Sequence, residues 1–456
     1  MTTRFHRRDL LVRGGAVLGA SSVMGAVGYV SAKELAQDPE PTTAPQTADE
    51  PDDDVSTWEG VRRQFALEPG KVHLTSFLLA SHPATVRRAI EAHRDGLDAN
   101  SRDYLQEHEL GLEEAVLAAA AEYLGTVPEQ VALTDSTTMG LGLLYGGLRL
   151  GERQEILTTE HDFYATHEAL RFRAERSGAD VRRIRLYSDP ETASEDEIVE
   201  AIVGALRPST RYIALTWVHS STGVKLPIRA IAEAVAEANR GRDAPDRVLV
   251  CVDGVHGFGV EDVSVAELGC DFFSSGCHKW LYGPRGTGVL WGREEAWHAA
   301  LPTIPTFDGR SYRAWMEGRP PEDTPSGAAM TPGGFHSFEH RWALADAFAF
   351  HVRIGRPRVA ERTSALTRQL KEGLAALDHV RLRTPMDEAL SAGLVCVEVE
   401  GMDPGEVVGR LDERDIVASV TPYATQYVRF GPSILNTPDE IDEVVAAVAE
   451  LGRKNS

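Results

Sequence analysis

Apolar residues recur along this chain with two different periods. Positions three or four residues apart are apolar in segments 83–98, 111–125, 195–206, 229–241, 366–377 and 438–451, which is the spacing of amphipathic helices. Between these segments lie short runs rich in β-branched and other apolar residues: EQVALTD, QEILTTE, RYIALTWV, RVLVCVDG, DFFSSG and GTGVLWG. Short apolar strands that alternate with helices predict a mostly parallel sheet with helices on both faces, so the expected class is α/β.

The pattern changes after about residue 345. A helical segment, QLKEGLAAL, is followed by three short strands, VRLRT, GLVCVEVE and QYVRFG, and then by the last helix. This order predicts a smaller α+β domain at the C-terminal end of the chain. We expect the folded part of the chain to begin near Trp58.

The first 57 residues have the composition of a targeting segment followed by a tether. Residues 1–32 contain paired Arg7 and Arg8 and then an uncharged stretch rich in small residues, a pattern that resembles a twin-arginine export signal. Residues 33–57 are rich in Pro, Thr and acidic side chains, which predicts a disordered linker. We therefore expect export by the twin-arginine machinery, to a periplasmic, extracellular or membrane-tethered location. An uncleaved anchor and an accidental arginine pair are the alternatives.

Composition and charge restrict the class of protein further. With 456 residues, of which 42% are apolar, the chain can form one large enzyme of two parts. The formal net charge of −22 argues against binding to nucleic acid or to an anionic membrane. The four cysteines form no C-x-x-C pair, so neither a zinc site nor a disulfide framework is expected, and we predict no metal.

Two ionisable residues follow neighbouring predicted strands. Asp253 ends the run VLVCVD, and Lys279 follows DFFSS within SSGCHKWLYGPRGTG. Ligands of such sheets bind beyond the carboxyl ends of the strands. A lysine that forms a Schiff base and a carboxylate that pairs with a pyridinium nitrogen are what pyridoxal phosphate requires. Asp253 taken alone could equally be a helix or loop cap.

The combination of D-G-x-H at Asp253 and H-K-W-L-x-x-P-x-G at His278 resembles the class V, fold type I, pyridoxal-phosphate enzymes, in particular the isopenicillin N epimerase-like branch. The resemblance extends from about Val72 to Leu451. It implies pyridoxal 5′-phosphate as cofactor, a large domain with a seven-stranded, mostly parallel sheet, a smaller C-terminal domain, and a homodimer with a shared active site. The large domain would span 86–344, and 58–85 and 345–456 would form the small domain.

The resemblance also implies a role for each of several residues. Lys279 and Asp253 would anchor the cofactor and act in catalysis, His161 would stack on its ring, and Arg429 would bind the substrate carboxylate. Phe163 is an alternative to His161. The further cofactor contacts are His256, His278, Ser136, Thr137, Thr138, Ser275 and, from a loop that crosses the dimer interface, Thr331; His219, Ser220 and Thr222 are additional candidates.

These residues leave three functions open. The first is epimerisation or racemisation at Cα of an amino acid, with Lys279 as one base and His161, Tyr164 or Tyr282 as the second acid. The second is an aminotransferase or a C–S or C–N lyase. The third is an exported binding protein without turnover. Desulfurases of this family attack the substrate sulfur with a cysteine thiolate from a loop that precedes the carboxylate-binding arginine. Cysteine desulfurase chemistry is not expected here, because the stretch around Arg429, ASVTPYATQYVRF, contains no cysteine.

Overall fold

The structure is a computed structural model that describes residues 54–320 and 326–453. The predicted export signal and residues 33–53 of the predicted linker lie outside the described residues. The chain is already packed at Val55, which is buried against the cluster that contains Phe65, and Thr57 caps the first helix. The described fold thus begins a few residues before Trp58.

The helices and strands follow one another in an alternating order up to residue 276. The helices are α1 (Trp58–Arg63), α2 (Ala84–Leu124), α3 (Thr137–Gly147), α4 (Tyr164–Ser177), α5 (Glu195–Ala205), α6 (Ile228–Asn239), α7 (Val265–Leu268), α8 (Gly309–Met316), α9 (Gly327–Met330), α10 (Phe338–Trp342), α11 (Leu344–Ile354), α12 (Arg356–Ala375), α13 (Pro404–Asp412) and α14 (Pro438–Arg453). The strands are β1 (Val72–His73), β2 (Val131–Thr134), β3 (Glu155–Thr159), β4 (Asp180–Ile184), β5 (Thr210–Thr216), β6 (Leu249–Asp253), β7 (Phe272–Gly276), β8 (Gly288–Gly292), β9 (Val380–Leu382), β10 (Val395–Val399), β11 (Ile416–Val417), β12 (Ser419–Val420) and β13 (Val428–Phe430).

A seven-stranded sheet forms the centre of the large domain, in the order β2-β8-β7-β6-β5-β3-β4. Only β8 among these strands runs antiparallel to its neighbours, so the predicted mostly parallel α/β sheet is confirmed. Two hydrophobic clusters cover its faces, which is why its central strands consist of almost continuous apolar runs. The carboxyl ends of β5, β6 and β7 lie in register, with Thr216 opposite Asp253 and Asp253 opposite Ser274.

The edge strand β4 was not predicted from the apolar pattern. Its sequence, DVRRI, has no buried position, because the strand lies at the open edge of the sheet. Arg182 on this strand pairs instead with the buried carboxylate of Glu155 on β3, at 2.8 Å. An edge strand stabilised by an ion pair lacks the alternation that sequence reasoning relies on.

The two predicted helices at 83–98 and 111–125 form one long element, α2, with non-helical backbone at Asn100 (φ −161°, ψ 85°). Asn100 accepts a hydrogen bond from Asp103 N at 3.2 Å and so caps the second half of the helix. The halves contact each other across this break, where His93 Nδ1 lies 3.0 Å from the Tyr104 hydroxyl, and α10 and α11 pack against α2.

The small domain contains an antiparallel sheet in the order β12-β13-β10-β9, covered by α12, α13 and α14. Strand β1 pairs in parallel with β11, and Val72 and Leu74 belong to the same hydrophobic cluster as Val397 and Phe430. On the other side of the predicted boundary at 344, Phe348 of α11 packs in the core of the large domain. No helix within residues 54–320 and 326–453 is long and apolar enough to cross a membrane.

Candidate active site

Lys279 and Asp253 meet at the carboxyl edge of the central sheet. Asp253 is 2% exposed and accepts a hydrogen bond from Val255 N at 3.1 Å. Burial raises the pKa of Asp253 to about 7, against the opposing effects of this hydrogen bond and of the Lys279 charge. Burial lowers the pKa of Lys279 to about 8, and the charge of Asp253 opposes that change. In the described part of the chain the Lys279 amine makes no hydrogen bond or ion pair, so it is available for reaction.

The N-terminus of α3 faces the same edge of the sheet. Ser136 caps the helix by accepting from Met139 N at 3.1 Å, and Thr137 Oγ1 accepts from Gly276 N at 2.7 Å. The Nδ1 atom of His278 is buried there without a hydrogen-bond partner among the described residues. A helix N-terminus with hydroxyl groups and an unpartnered imidazole suits a phosphate group. Thr138 is exposed on the first turn.

Gly276 is needed for this arrangement. A Cβ atom at position 276 would lie 2.8 Å from His278 Cε1 and 3.1 Å from Thr137 Oγ1. A serine at this position would therefore push apart the two side chains that approach the helix N-terminus. The glycine is thus a steric requirement of the cradle formed by Ser136, Thr137 and His278, which we call the anion cradle.

His256 lies beside Lys279 as a neutral ring. Trp280 Nε1 donates to His256 Nδ1 at 3.4 Å, which leaves the ring proton on Nε2. Burial, with the charges of Lys279 and Arg429, lowers the pKa of His256 well below its usual value. The imidazole can therefore donate one hydrogen bond from Nε2 without carrying a charge.

His161 is fixed by a second aromatic ring behind it. Its ring stacks on Tyr187 with centroids 4.0 Å apart and planes 14° apart, and its Nε2 accepts from Leu186 N at 3.3 Å. The Tyr187 hydroxyl lies 2.9 Å from His219 Nδ1 and 3.2 Å from Thr222 Oγ1. Burial lowers the pKa of His161 to about 3, so the ring is neutral at pH 7 and suited to stacking. His219 also stacks on His161, with ring centroids 5.2 Å apart, so this buried network fixes the position of the His161 ring.

Arg429 on β13 brings a buried cation to the site from the small domain. It is 3% exposed, and its guanidinium lies over the ring of Phe77, 4.5 Å from the centroid. It donates to Ser419 Oγ at 3.2 Å and to the carbonyl of Ser220 at 3.0 Å. Within the described residues these acceptors are neutral and no carboxylate pairs with the guanidinium. A buried arginine without an anionic partner has donors suited to a carboxylate.

Several predicted residues are not brought to this group of side chains. Ser275 is fully buried and donates to the carbonyl of Gly276, and strand alternation puts it on the sheet face opposite to Ser274. Thr331 accepts from Leu133 N at 3.1 Å and donates to Gly327 O, so its hydroxyl is engaged within its own chain. Their cofactor contacts stay predictions. Phe163 faces Tyr423, with ring centroids 6.0 Å apart.

The structure adds residues that sequence reasoning missed. Ser274 and Thr216 have buried hydroxyl groups without a partner among the described residues, on the strand positions in register with Asp253. Counting from Asp253 along neighbouring strands could have found Ser274 rather than Ser275. Tyr187 and Tyr423 carry no local signal, because each reaches the site through contacts between distant segments.

The four cysteines, Cys251, Cys270, Cys277 and Cys396, are all buried and free. Burial raises the pKa of each thiol, that of Cys396 to about 12. A buried protonated thiol is a poor nucleophile.

Comparison with known proteins identifies the family to which this arrangement belongs. The family model described as aminotransferase class-V matches residues 101–444. The chain belongs to the class V aminotransferase family. An isopenicillin N epimerase from Streptomyces clavuligerus is 28% identical over 413 residues, which cover 87% of this chain and 99% of that protein. A cysteine desulfurase from Klebsiella pneumoniae is 27% identical over 408 residues, 83% of this chain and 93% of that protein.

A solved structure confirms the fold of this class V protein. A mutant of C-DES with glycine covalently linked to the PLP cofactor has a TM-score of 0.76, covers 85% of this chain and 99% of its own, and is 22% identical. The fold is thus that of the fold type I enzymes, with a central sheet and a C-terminal small domain, as predicted.

The cofactor of this class V protein is pyridoxal 5′-phosphate, and the residues present fit it. Lys279 provides an unpaired amine and Asp253 a buried carboxyl group, while the anion cradle provides donors without acceptors. Lys279, Asp253, His161 and the anion cradle would hold the cofactor. Bound there, the group supplies an electron sink for charge that develops at Cα of an amino acid.

Proposed function

We propose that this class V enzyme inverts the configuration at Cα of an amino acid or an amino-acid-derived substrate. The observation that carries the proposal is the buried, carboxylate-free guanidinium of Arg429 beside Lys279 and Asp253. Two-point binding of a substrate carboxylate to Arg429 would fix Cα near the Lys279 amine. Relatives named isopenicillin N epimerase, which match nearly their whole length, support this function.

The residues of the site divide the work between binding and proton transfer. Asp253 would hold a proton at the ring nitrogen, and the anion cradle would fix the phosphate. Burial lowers the pKa of Lys279 to about 8, so a larger fraction is the free amine near neutral pH than for an ordinary lysine, and the free amine can accept the Cα proton. Inversion also requires a second group that gives a proton to the other side of Cα.

The alternative functions make different products. An aminotransferase would release a keto acid and leave an amino group on the cofactor, and a C–S or C–N lyase would release ammonia or a thiol. A binding protein without turnover would release nothing. The presence of Lys279, Asp253 and Arg429 at one site argues against a loss of turnover, since buried ionisable groups with shifted pKa values are concentrated at catalytic sites.

We further propose that the enzyme is not a cysteine desulfurase, although desulfurases are among its relatives. Desulfuration needs an accessible thiolate that attacks the substrate sulfur. All four cysteines are buried with raised thiol pKa values. Incubation with L-cysteine should therefore release no persulfide sulfur above the level of a Lys279→Ala control.

The proposed inversion is tested with the purified holoenzyme in deuterated water. The proteinogenic L-amino acids and isopenicillin N are incubated separately, and the products are analysed by chiral chromatography and mass spectrometry. We expect at least one substrate to yield its Cα epimer with deuterium at Cα, and Arg429→Lys to lower kcat/KM about 100-fold or more, since lysine cannot bind a carboxylate at two points. Arg410→Lys on α13, where the partly exposed arginine pairs with Glu406, serves as control. Keto acid or ammonia without inversion would contradict the proposal.

We also propose that the enzyme is exported by the twin-arginine route. The support is the sequence alone: Arg7 and Arg8 precede an uncharged segment of small residues. This route carries folded proteins, so the cofactor could be inserted before export. Replacing both arginines by lysine should leave the protein in the cytoplasm, as fractionation and N-terminal sequencing would show; unchanged secretion would contradict this assignment.

A further inference from the structure

The hairpin that carries Arg429 also brings a tyrosine to the site. Strands β12 and β13 pair antiparallel, and hydrogen bonds between Thr421 and Tyr427 close the loop between them. The tip of this loop is exposed at Pro422 and at 424–426, whereas Tyr423 is half-buried. The loop is thus tightly closed, with one side chain turned inward.

The Tyr423 hydroxyl reaches the large domain next to the predicted carboxylate site. Its oxygen lies 2.7 Å from Ser220 Oγ, and the carbonyl of the same Ser220 accepts the hydrogen bond from Arg429. The Tyr423 ring packs edge to face against Phe163, which lies two residues after His161 in the sequence. A substrate carboxylate on Arg429 would therefore lie close to the phenol.

The charges around Tyr423 keep its proton in place. Burial raises the pKa of Tyr423 above its usual value, against the hydrogen bond to Ser220 and the charge of Arg429; the charges of Asp162 and Asp253 raise it further. The phenol is therefore protonated at neutral pH and can donate.

The other groups considered as a second acid are less suitable. Tyr164 is 70% exposed, and Tyr282 is fully buried with its ring edge-on to Phe65, centroids 5.0 Å apart. Tyr187 lies behind His161, with its hydroxyl engaged by His219. His161 is neutral, and its Nε2 accepts a backbone hydrogen bond.

We infer that Tyr423 is the acid that delivers a proton to Cα from the small-domain side, while Lys279 acts from the sheet side. The inference rests on the proposed inversion at Cα. In the step, the Lys279 amine takes the Cα proton, the Tyr423 O–H bond breaks, and the electron pair left at Cα forms the new C–H bond. The resulting ammonium and phenolate return to their starting states by proton exchange with water. In the reverse direction the two groups exchange roles.

The experiment compares holoenzymes carrying Tyr423→Phe and Tyr427→Phe. Tyr427 is in the same hairpin, but its ring packs beneath Arg383, so its substitution is a matched control. The probes are the proteinogenic L-amino acids and isopenicillin N in deuterated water. We expect Tyr423→Phe to lose about 100-fold or more of the inversion rate while Lys279 continues to exchange the Cα proton with retained configuration. Tyr427→Phe should retain both rates.

Each other outcome overturns the assignment in a recognisable way. Unchanged inversion in Tyr423→Phe would show that another acid acts, and equal loss of inversion and exchange would show a role in binding alone. A wild-type enzyme that inverts no probe contradicts the proposed function itself. This outcome is distinct from failure of the Tyr423 assignment, because the wild type is measured before the variant.

A second measurement needs no turnover. The cofactor-free protein is labelled with [ζ-13C]tyrosine, and the Tyr423 resonance is assigned by its absence from the 13C NMR spectrum of Tyr423→Phe. This resonance should keep the chemical shift of a neutral phenol up to and beyond pH 9. A phenolate at pH 7 would overturn the role of Tyr423 as an acid.

Discussion

Gly276 and Lys279 illustrate how single residues shape this site in different ways. Gly276 acts through the absence of a side chain, since any Cβ would displace His278 or Thr137. Lys279 acts through its burial, which lowers the pKa of the amine although the charge of Asp253 opposes that change. One residue determines shape and the other reactivity, and both effects can be measured on the cofactor-free protein.

Gly276→Ala should weaken the binding of pyridoxal phosphate about tenfold, which corresponds to about 1.4 kcal/mol. The added methyl group must push His278 or Thr137 out of the anion cradle. Gly142→Ala on α3 is the matched control, because its Cβ would meet nothing within 4 Å. Titration of both cofactor-free variants with the cofactor measures the effect. Equal affinity of Gly276→Ala and wild type would contradict the steric role of the glycine.

The rate of cofactor attachment to Lys279 should depend on pH. Attachment needs the neutral amine, so the rate should rise with pH below the pKa of about 8 and level off above it. Because the charge of Asp253 raises the pKa of Lys279, Asp253→Asn should shift this profile to lower pH. Stopped-flow absorbance between pH 6 and 9.5 measures both profiles. A shift of the Asp253→Asn profile to higher pH would contradict the proposed coupling.

At the scale of elements, the long helix α2 shows how one residue divides a helix without separating its halves. The apolar pattern predicts two helices, and the structure joins them through Asn100, whose backbone leaves the helical region. The side chain of Asn100 caps the second half by accepting from Asp103 N. The break is therefore built into the sequence, while α10 and α11 pack against α2.

Asn100→Ala should lower the free energy of unfolding by about 1 kcal/mol, the usual cost of a lost N-cap. Asn100→Ser keeps a capping oxygen and should stay within a few tenths of a kcal/mol of wild type. Urea unfolding followed by circular dichroism measures both variants. A fully stable Asn100→Ala would show that packing alone fixes the break.

At the scale of the whole molecule, the large and small domains meet at the site, with Lys279 and Asp253 from one and Arg429 and Tyr423 from the other. Two large aromatic side chains outside the site are exposed to solvent, Trp315 at 71% and Phe335 at 76%. The family resemblance implies a homodimer in which Thr331 would lie near a partner's site, and the exposed Phe335, close to Thr331 in the sequence, is a candidate contact of that interface.

We expect this chain to form the homodimer that the family resemblance implies, and Phe335→Ser to convert it into a monomer at micromolar concentration. The change removes an aromatic side chain from the proposed interface, where such residues contribute most of the binding energy. Phe172→Ser on α4 removes an exposed aromatic residue elsewhere and should leave the dimer intact. Size-exclusion chromatography with light scattering measures the mass of both variants. A monomeric wild type, or a dimeric Phe335→Ser, would contradict the proposed interface.

The sequence by itself determined the α/β class, the mostly parallel sheet and the positions of Lys279 and Asp253 at strand ends. It could do so because apolar periodicity and short motifs are local properties of the chain. It missed strand β4, since an edge strand held by the ion pair of Arg182 with Glu155 has no apolar alternation. Local patterns thus predict elements that bury a face and fail where polar contacts replace burial.

The tertiary structure alone decided which side chains share the site. It placed Tyr187 behind His161, turned Ser275 to the other sheet face, and left Arg429 without a carboxylate partner among the described residues. It also brought Tyr423 to Ser220, more than 200 residues away in the sequence. These relations depend on packing between distant segments, and no local period or spacing encodes them.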